Sequence, residues 1–220
     1  MINTGTWQDY RGKGEGILIH LDTTSNHALP VREPVDEKGN PMLEPNYENG
    51  THGFLQCLDA KTRLAAMKNR RRYFLFGTRY QGSQTALRGK FLIVGYMRLD
   101  KVMEARKRHI RKWMEQGKTG APAPECMDME ECPAFRSEEM NFYAPEDAFE
   151  LSEASMKKWG YKGKITKQMK LTFTEDKLGQ ILTHFKGKPS RNGEYVTVSR
   201  ELETAVEAAR ENAGAGEAEW

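Results

Sequence analysis

Short apolar runs bounded by turn residues dominate the first half of the chain. Gly16-Ile-Leu-Ile-His-Leu21 is rich in β-branched residues and predicts a first strand. From Asp22 to Gly53 the chain is rich in Pro, Asn, Gly and Asp, with Pro30, Pro34, Pro41 and Pro45 interrupting any regular element. This stretch predicts a long loop or insertion. Phe54-Leu-Gln-Cys-Leu58 reads as a strand. Asp59 caps an expected helix through Arg70, with Leu64 and Met67 facing inward. Tyr73-Phe-Leu-Phe76 continues into Gly77-Thr-Arg-Tyr80. After the polar stretch Gln81–Gly89 comes a second apolar run, Lys90-Phe-Leu-Ile-Val-Gly-Tyr-Met-Arg-Leu-Asp100. The two runs predict adjacent antiparallel strands, and Gly95 within the second predicts a bulge or a close backbone approach.

The second half is more helical in spacing. Val102–Gln116 places Met103, Ile110, Trp113 and Met114 on one side, with Arg106, Lys107, Arg108, Arg111 and Lys112 around the rest. Gly120–Pro133 predicts a linker. Met169-Lys-Leu-Thr-Phe173 alternates like a half-buried strand. Thr174 caps a helix with Leu178, Ile181, Leu182 and Phe185 at helical spacing, ended by Gly187 and Pro189. Tyr195-Val-Thr-Val198 predicts a short strand, and Ser199 begins a last helix carrying Leu202, Val206 and Ala209. The organisation expected is a core region over 1–117 with a long loop at 22–53, and an acidic linker over 118–155. A strand–helix extension follows over 156–213, then a disordered tail over 214–220.

Composition narrows the class. With 220 residues, 30% charged, 10% aromatic and a mean hydropathy of −0.76, the chain has enough rings for a core, and its longest apolar runs, around Tyr73–Phe76 and Phe91–Val94, are strand-sized and too short to span a bilayer. The N-terminus lacks the basic and apolar regions of a secretory signal, and three cysteines make no disulfide framework. The expectation is a cytoplasmic, reducing compartment with no membrane partner. Charge is segregated. Sixteen Lys and Arg face only Asp100 and Glu104 between Lys61 and Lys112, whereas ten acids face only Arg136 between Glu125 and Glu153. The chain turns basic again from Lys157 to Arg191, and the last twenty residues carry six Glu against Arg210. Such blocks either build a positive face that attracts polyanions or neutralise one another in the fold.

The strand pair over 73–102, with Phe74-Leu-Phe76 followed by Ile93-Val-Gly-Tyr96 and Lys101-Val102, resembles the central strands of PUA-like domains, the superfamily of the ASCH, EVE and YTH types. The resemblance covers about thirty of the 220 residues. It implies an α+β fold: a small PUA-like mixed β-barrel with flanking helices and, here, a C-terminal α/β extension. It also implies a pocket for an unstacked, often modified, base.

The residues themselves supply what such a task needs, because phosphates call for Arg and Lys while an unpaired base calls for an aromatic face. Cations adjoin rings at Arg72, Arg79–Tyr80 and Tyr96–Arg98, and again near Trp7 and Tyr10. These seven residues are the expected ligand-binding set, although the same rings serve equally well as core. No metal or other cofactor is expected, since Cys126 and Cys132 are separated by five residues and Cys57 and His109 lie elsewhere. Gly12-Lys-Gly-Glu-Gly16 precedes a strand and reads as a turn. No catalytic triad pattern is present. One pattern keeps a metal-dependent nuclease as the alternative: Asp59-Ala-Lys61, with Asp36 and Glu37 upstream, has the acid-x-Lys form that holds a divalent ion and orients a water. A protein–protein adaptor acting through the acidic 125–153 segment is a third reading. The reading adopted is binding of nucleic acid or a nucleotide-like ligand without catalysis.

Overall fold

The computed structural model of the chain describes residues 7–24, 27–32, 45–48, 50–52, 71–106, 131–162, 165 and 171–216. Ten strands are formed among them: β1 Gln8–Asp9, β2 Gly16–His20, β3 Thr51–His52, β4 Tyr73–Arg79, β5 Phe91–Arg98, β6 Lys101–Arg106, β7 Glu131–Arg136, β8 Met140–Phe142, β9 Phe149–Glu150 and β10 Thr172–Phe173. Three α-helices accompany them: α1 Glu153–Lys158, α2 Glu175–Phe185 and α3 Asn192–Gly216. The fold is mixed α+β.

The strands form two sheets. One runs β1-β6-β7-β3; the other runs β10-β2-β4-β5-β8, with β9 also pairing β5. Their pairing leaves two sheets and does not close a barrel among the described residues. In the larger sheet β2 and β4 are parallel and the remaining pairs antiparallel.

The expected pair of adjacent strands is the centre of this sheet. β4 and β5 run antiparallel from Tyr73↔Arg98 to Arg79↔Phe91. They read as nearly continuous apolar runs because both their faces are covered, so neither face selects for polar residues. On one face Phe74, Phe76, Val94 and Met97 join Ile17, Ile19, Tyr10 and Phe135 in a cluster shared with the smaller sheet. On the other, Leu75, Phe91, Ile93 and Tyr96 pack with Leu18, Phe173, Met156 and the α2 residues Leu178, Ile181 and Phe185. The central sheet is thus sandwiched between a second sheet and helices.

The register between β4 and β5 slips between Phe76 and Gly77, so that Gly95 pairs with Phe76, Ile93 pairs with Gly77, and Val94 is the extra residue. This is the bulge expected at Gly95. A Cβ there would lie 2.5 Å from the Asn141 carbonyl oxygen and 2.7 Å from the Phe142 ring, so a glycine is required for β8 to approach. Beyond β8 the edge is closed by the start of α3. Asn192 accepts a hydrogen bond from the Phe142 N–H (2.8 Å) and donates one to the Met140 carbonyl (2.7 Å), while the Arg191 N–H donates to the Phe142 carbonyl (2.8 Å). A sheet edge that would otherwise template another chain is occupied by the protein's own backbone and amide.

Several expectations need correction. Val102–Arg106 is not the start of a helix but strand β6, paired with β7 along its whole length; residues 107–116 lie outside the described set. The 118–155 segment is not simply a linker, because β7, β8 and β9 weave its second half into both sheets. Tyr195–Val198 is helical and not a strand. Tyr195 is fully buried between Tyr47 and Phe142 at 5.2 and 4.9 Å, and its hydroxyl donates to the Tyr143 carbonyl at 3.1 Å. That anchor makes the Val-Thr-Val run part of one long helix, where tertiary packing outweighs local β-propensity. The helix capped at Thr174 forms as expected. The strand expected at Phe54–Leu58, the helix at Asp59–Arg70 and residues 217–220 lie outside the described residues. No helix among the described residues is long and apolar enough to cross a membrane.

His52 is a buried polar residue within this core. It is 1% exposed, edge-on to Phe74 and Phe76 at 5.5 Å each. Burial, aided by the Arg32 charge, pushes its pKa down to about 3. The imidazole is therefore neutral in the folded chain, while the unfolded chain takes up a proton near pH 6.5. Stability from this group is fully present above about pH 6.5 and is lost as pH falls towards 3, at up to roughly 1.4 kcal/mol per pH unit. In chemical denaturation between pH 7 and pH 4, His52→Phe should flatten this slope; an unchanged slope would show that His52 is not its source.

The bulge gives a second prediction. Gly95→Ala should destabilise the protein by about 2 kcal/mol through the forced clash with Asn141 and Phe142. Gly179→Ala, in α2 with open space around it, should stabilise it by about 1 kcal/mol. Urea unfolding midpoints of the two variants, moving in opposite directions, check the assignment of close approach to one glycine and not the other.

Candidate functional site

The seven residues singled out in the sequence do not converge. Tyr96 and Arg98 lie at one end of the β4–β5 pair, with Arg72 immediately before β4. Arg79 and Tyr80 lie at the other, about 20 Å away along a seven-residue strand. Trp7, half-buried, precedes β1. Three of the rings are core: Tyr10, Tyr80 and Tyr96 are 6%, 1% and 8% exposed. Tyr10 stands edge-on to Phe135 at 5.6 Å, and burial raises its pKa to about 12. Tyr80 is buried in the same cluster, with its hydroxyl accepting a long bond from the Gln84 N–H at 3.4 Å. None of these three offers an open stacking face in this conformation.

At the first end Arg98, Asp100, Glu139 and Tyr96 satisfy one another, while the exposed Arg72 forms no ion pair among the described residues. Arg98 donates from Nε to Asp100 Oδ1 and from Nη1 to Glu139 Oε2, each at 2.7 Å. Asp100 Oδ2 accepts the Glu138 N–H at 2.9 Å. Tyr96 donates to Glu139 Oε1 at 3.0 Å and accepts from Asn141 Nδ2 at 3.2 Å. The Tyr96 pKa is raised by burial first, then by neighbouring Tyr143 and Glu139. The network sits where the chain passes from one sheet to the other: the Leu99 N–H donates to the Arg72 carbonyl, the Asp100 N–H to that of Arg136, and the Tyr10 N–H to that of Asp100, at 2.8, 3.1 and 2.8 Å. With two carboxylates against it, Arg98 works as a corner brace.

The second end is different. Arg79 is exposed, and its guanidinium is held by two backbone carbonyls, Nη1 to Gly89 at 2.6 Å and Nη2 to Ile165 at 3.0 Å. Carbonyls fix its position and leave its charge uncancelled; it forms no ion pair among the described residues. Arg88 is likewise exposed and, among the described residues, reaches only the Gly82 carbonyl, at 3.4 Å.

The chain before Ile165 carries further cations and rings. α1 begins at Ser152, whose hydroxyl accepts the Ser155 N–H at 3.1 Å. It ends with Lys157 and Lys158, followed by Trp159, Gly160, Tyr161 and Lys162. Gly160 has φ +76°, a left-handed turn that glycine adopts without strain, and it sets the two rings on either side of the turn. Trp159 lies parallel to Phe149 (5.9 Å, 9°) and edge-on to Phe173 (6.0 Å). Tyr161 is also edge-on to Phe173 (6.2 Å) and donates its hydroxyl to the Thr172 carbonyl. Lys177 ties the two together, with Nζ 4.3 Å above the Tyr161 ring and 2.9 Å from the Trp159 carbonyl oxygen. Trp159, Tyr161 and Phe149 each remain half-buried against the core cluster that includes Ile165. Lys157, Lys158 and Lys162 are exposed and form no ion pair among the described residues. Glu153 stands one helical turn before Lys157 on α1, Glu150 beside Phe149 pairs with Lys90, and Glu175 and Asp176 open α2.

Spacing rules do not single out this cluster, yet its signal is present in the sequence: Lys157-Lys-Trp-Gly-Tyr-Lys162-Gly-Lys164 interleaves cations and rings more densely than Arg79-Tyr80 does. Asp36, Glu37, Asp59, Lys61, Cys57, His109 and Cys126 lie outside the described residues, as does the Cys132 side chain. Among the described residues no group of three His, Cys, Asp or Glu could hold a metal ion. No protein-family model, no curated protein and no solved structure matches the chain.

Because Arg98 separates two carboxylates, Arg98→Gln should leave Asp100 and Glu139 facing each other and lower stability by about 1 kcal/mol. Asp100→Asn in the same background should restore part of the stability; thermal melts of the single and double variants check the brace.

Proposed function

We propose that the protein binds nucleic acid, or a nucleotide-like polyanion, without catalysis of its own, on the face built from Arg79, Arg88 and the 157–162 turn. The observation that carries this reading is the combination, on one turn, of exposed cations that form no ion pair among the described residues with half-buried aromatic rings. Several other cations are neutralised, Arg71 by Glu15, Lys90 by Glu150, Arg98 by Asp100 and Glu139, Arg191 by Glu194 and Arg200 by Glu48, while the exposed Arg11, Lys13, Arg72, Arg136 and Lys186 form no ion pair among the described residues. On this face Arg79, Lys157, Lys158 and Lys162 have no such partner among the described residues. Uncancelled, clustered cations raise the local potential and draw phosphates by counterion release. A guanidinium fixed by two carbonyls keeps free N–H donors for a phosphate oxygen without first giving up side-chain freedom.

The fold part of the reading is a PUA-like core. Support for it comes from the β4–β5 pair with its bulge at Val94–Gly95 and from the helices against one face. The same reading puts the protein in the cytoplasm, where three cysteines stay reduced.

Fluorescence anisotropy with labelled oligonucleotides across a salt series tests it. Binding should weaken steeply with added salt. The double variant Lys157→Ala, Lys158→Ala should bind more weakly at low salt and reduce the logarithmic slope by roughly 0.7 for each phosphate of a single strand that the variant no longer neutralises. If no oligonucleotide binds more tightly than about 100 μM at low salt, weaker than ordinary non-specific affinity, the proposal fails.

A further inference from the structure

Resting on that polyanion reading, we infer that Trp159, backed by Phe149 and flanked by Tyr161, is the seat for an unpaired base, so that the ligand is single-stranded nucleic acid. A half-exposed indole and a half-exposed phenol on one tight turn leave aromatic surface in contact with water, an arrangement the core does not need. Both rings are nevertheless held rigidly: Trp159 by Phe149 and Phe173, Tyr161 by Phe173, its hydrogen bond to Thr172 and the Lys177 ammonium. Rings fixed before binding lose little freedom when a planar partner stacks on them. The indole N–H makes no hydrogen bond among the described residues and remains available as a donor. Cations lie on both sides of the rings along the chain, Lys157 and Lys158 before and Lys162 after, and Arg79 grips Ile165 just beyond.

Alternation of cation and ring matches a polymer in which charged backbone alternates with flat, stackable bases. Duplex bases are already stacked on each other and offer a ring at the protein surface no face. A protein partner or an anionic membrane can also use rings beside cations, but neither repeats charge and flat ring along one chain. The occupant that repeats both is a single strand.

The test compares three probes on the full chain at moderate salt: a labelled oligothymidine, an abasic strand of equal length, and a duplex of equal length. Wild type should bind the oligothymidine more tightly than either of the others, with quenching of tryptophan emission. Trp159→Leu keeps apolar bulk but has no π face, and should weaken oligothymidine binding roughly tenfold while leaving the abasic strand unchanged. Trp159→Phe restores a ring and should recover most of the affinity, which separates stacking from a folding defect; circular dichroism melts of both variants confirm that they fold. If the abasic strand or the duplex binds as tightly as the oligothymidine, or if Trp159→Leu leaves oligothymidine affinity intact, the base seat is refuted while the polyanion reading stands. If none of the probes binds, both fall together.

Discussion

Everything in this molecule hangs on a strand pair that has no solvent side. β4 and β5 lie between a second sheet and a layer of helices, and Phe74, Leu75, Phe76, Leu92, Ile93 and Val94 are each at most 1% exposed. Each such side chain contributes on the order of 1.5–3 kcal/mol by leaving water, so this pair alone supplies much of the drive to fold. Burial on both faces also restricts where chemistry can sit. Polar side chains survive only where the pair runs out, and the two ends become separate polar territories about 20 Å apart.

Those two territories solve different problems with the same residue type. At the β5–β6 corner an arginine is enclosed by two carboxylates, because there the chain must change sheets and the turn has to be fixed. At the opposite end an arginine is enclosed by two carbonyls, which hold its geometry but not its charge. The 157–162 turn, tied to β10 through Tyr161 and leading to the Ile165 carbonyl that holds Arg79, presents its two rings by one glycine in the left-handed region between Trp159 and Tyr161.

How much of the fold is legible in the sequence depends on whether a local pattern has one solution or two. Tyr73–Phe76 and Phe91–Val94 have one, since continuous apolar runs of that length bounded by polar turns pack as doubly covered strands, and Gly95 announces its bulge. Thr174 and Gly187 likewise bracket a helix unambiguously. Val102–Arg106 has two, because its apolar residues satisfy helical spacing and strand alternation alike; the deciding partner, β7, contains Pro133 and reads locally as loop. Val196 and Val198 suggest a strand, and only the burial of Tyr195 and the hydrogen bonds from Asn192 to β8 make them helical. The site suffers from the same ambiguity. A tyrosine beside an arginine looks alike whether its ring faces water or the core, and Tyr80 turns inward because strand alternation puts it on the covered face. Trp159 and Tyr161 are easily missed because the basic residues after Lys157 register as net charge, not as a pattern of charge and ring.

The central claim is that the ligand meets the protein at the end of β4 marked by Arg79 and not at the end marked by Arg98. Amide hydrogen exchange with and without a bound oligonucleotide decides between them directly. The account predicts added protection over residues 79–90 and 157–162, with exchange over 8–11, 72–73 and 137–141 unchanged. Protection confined to the latter segments would contradict it.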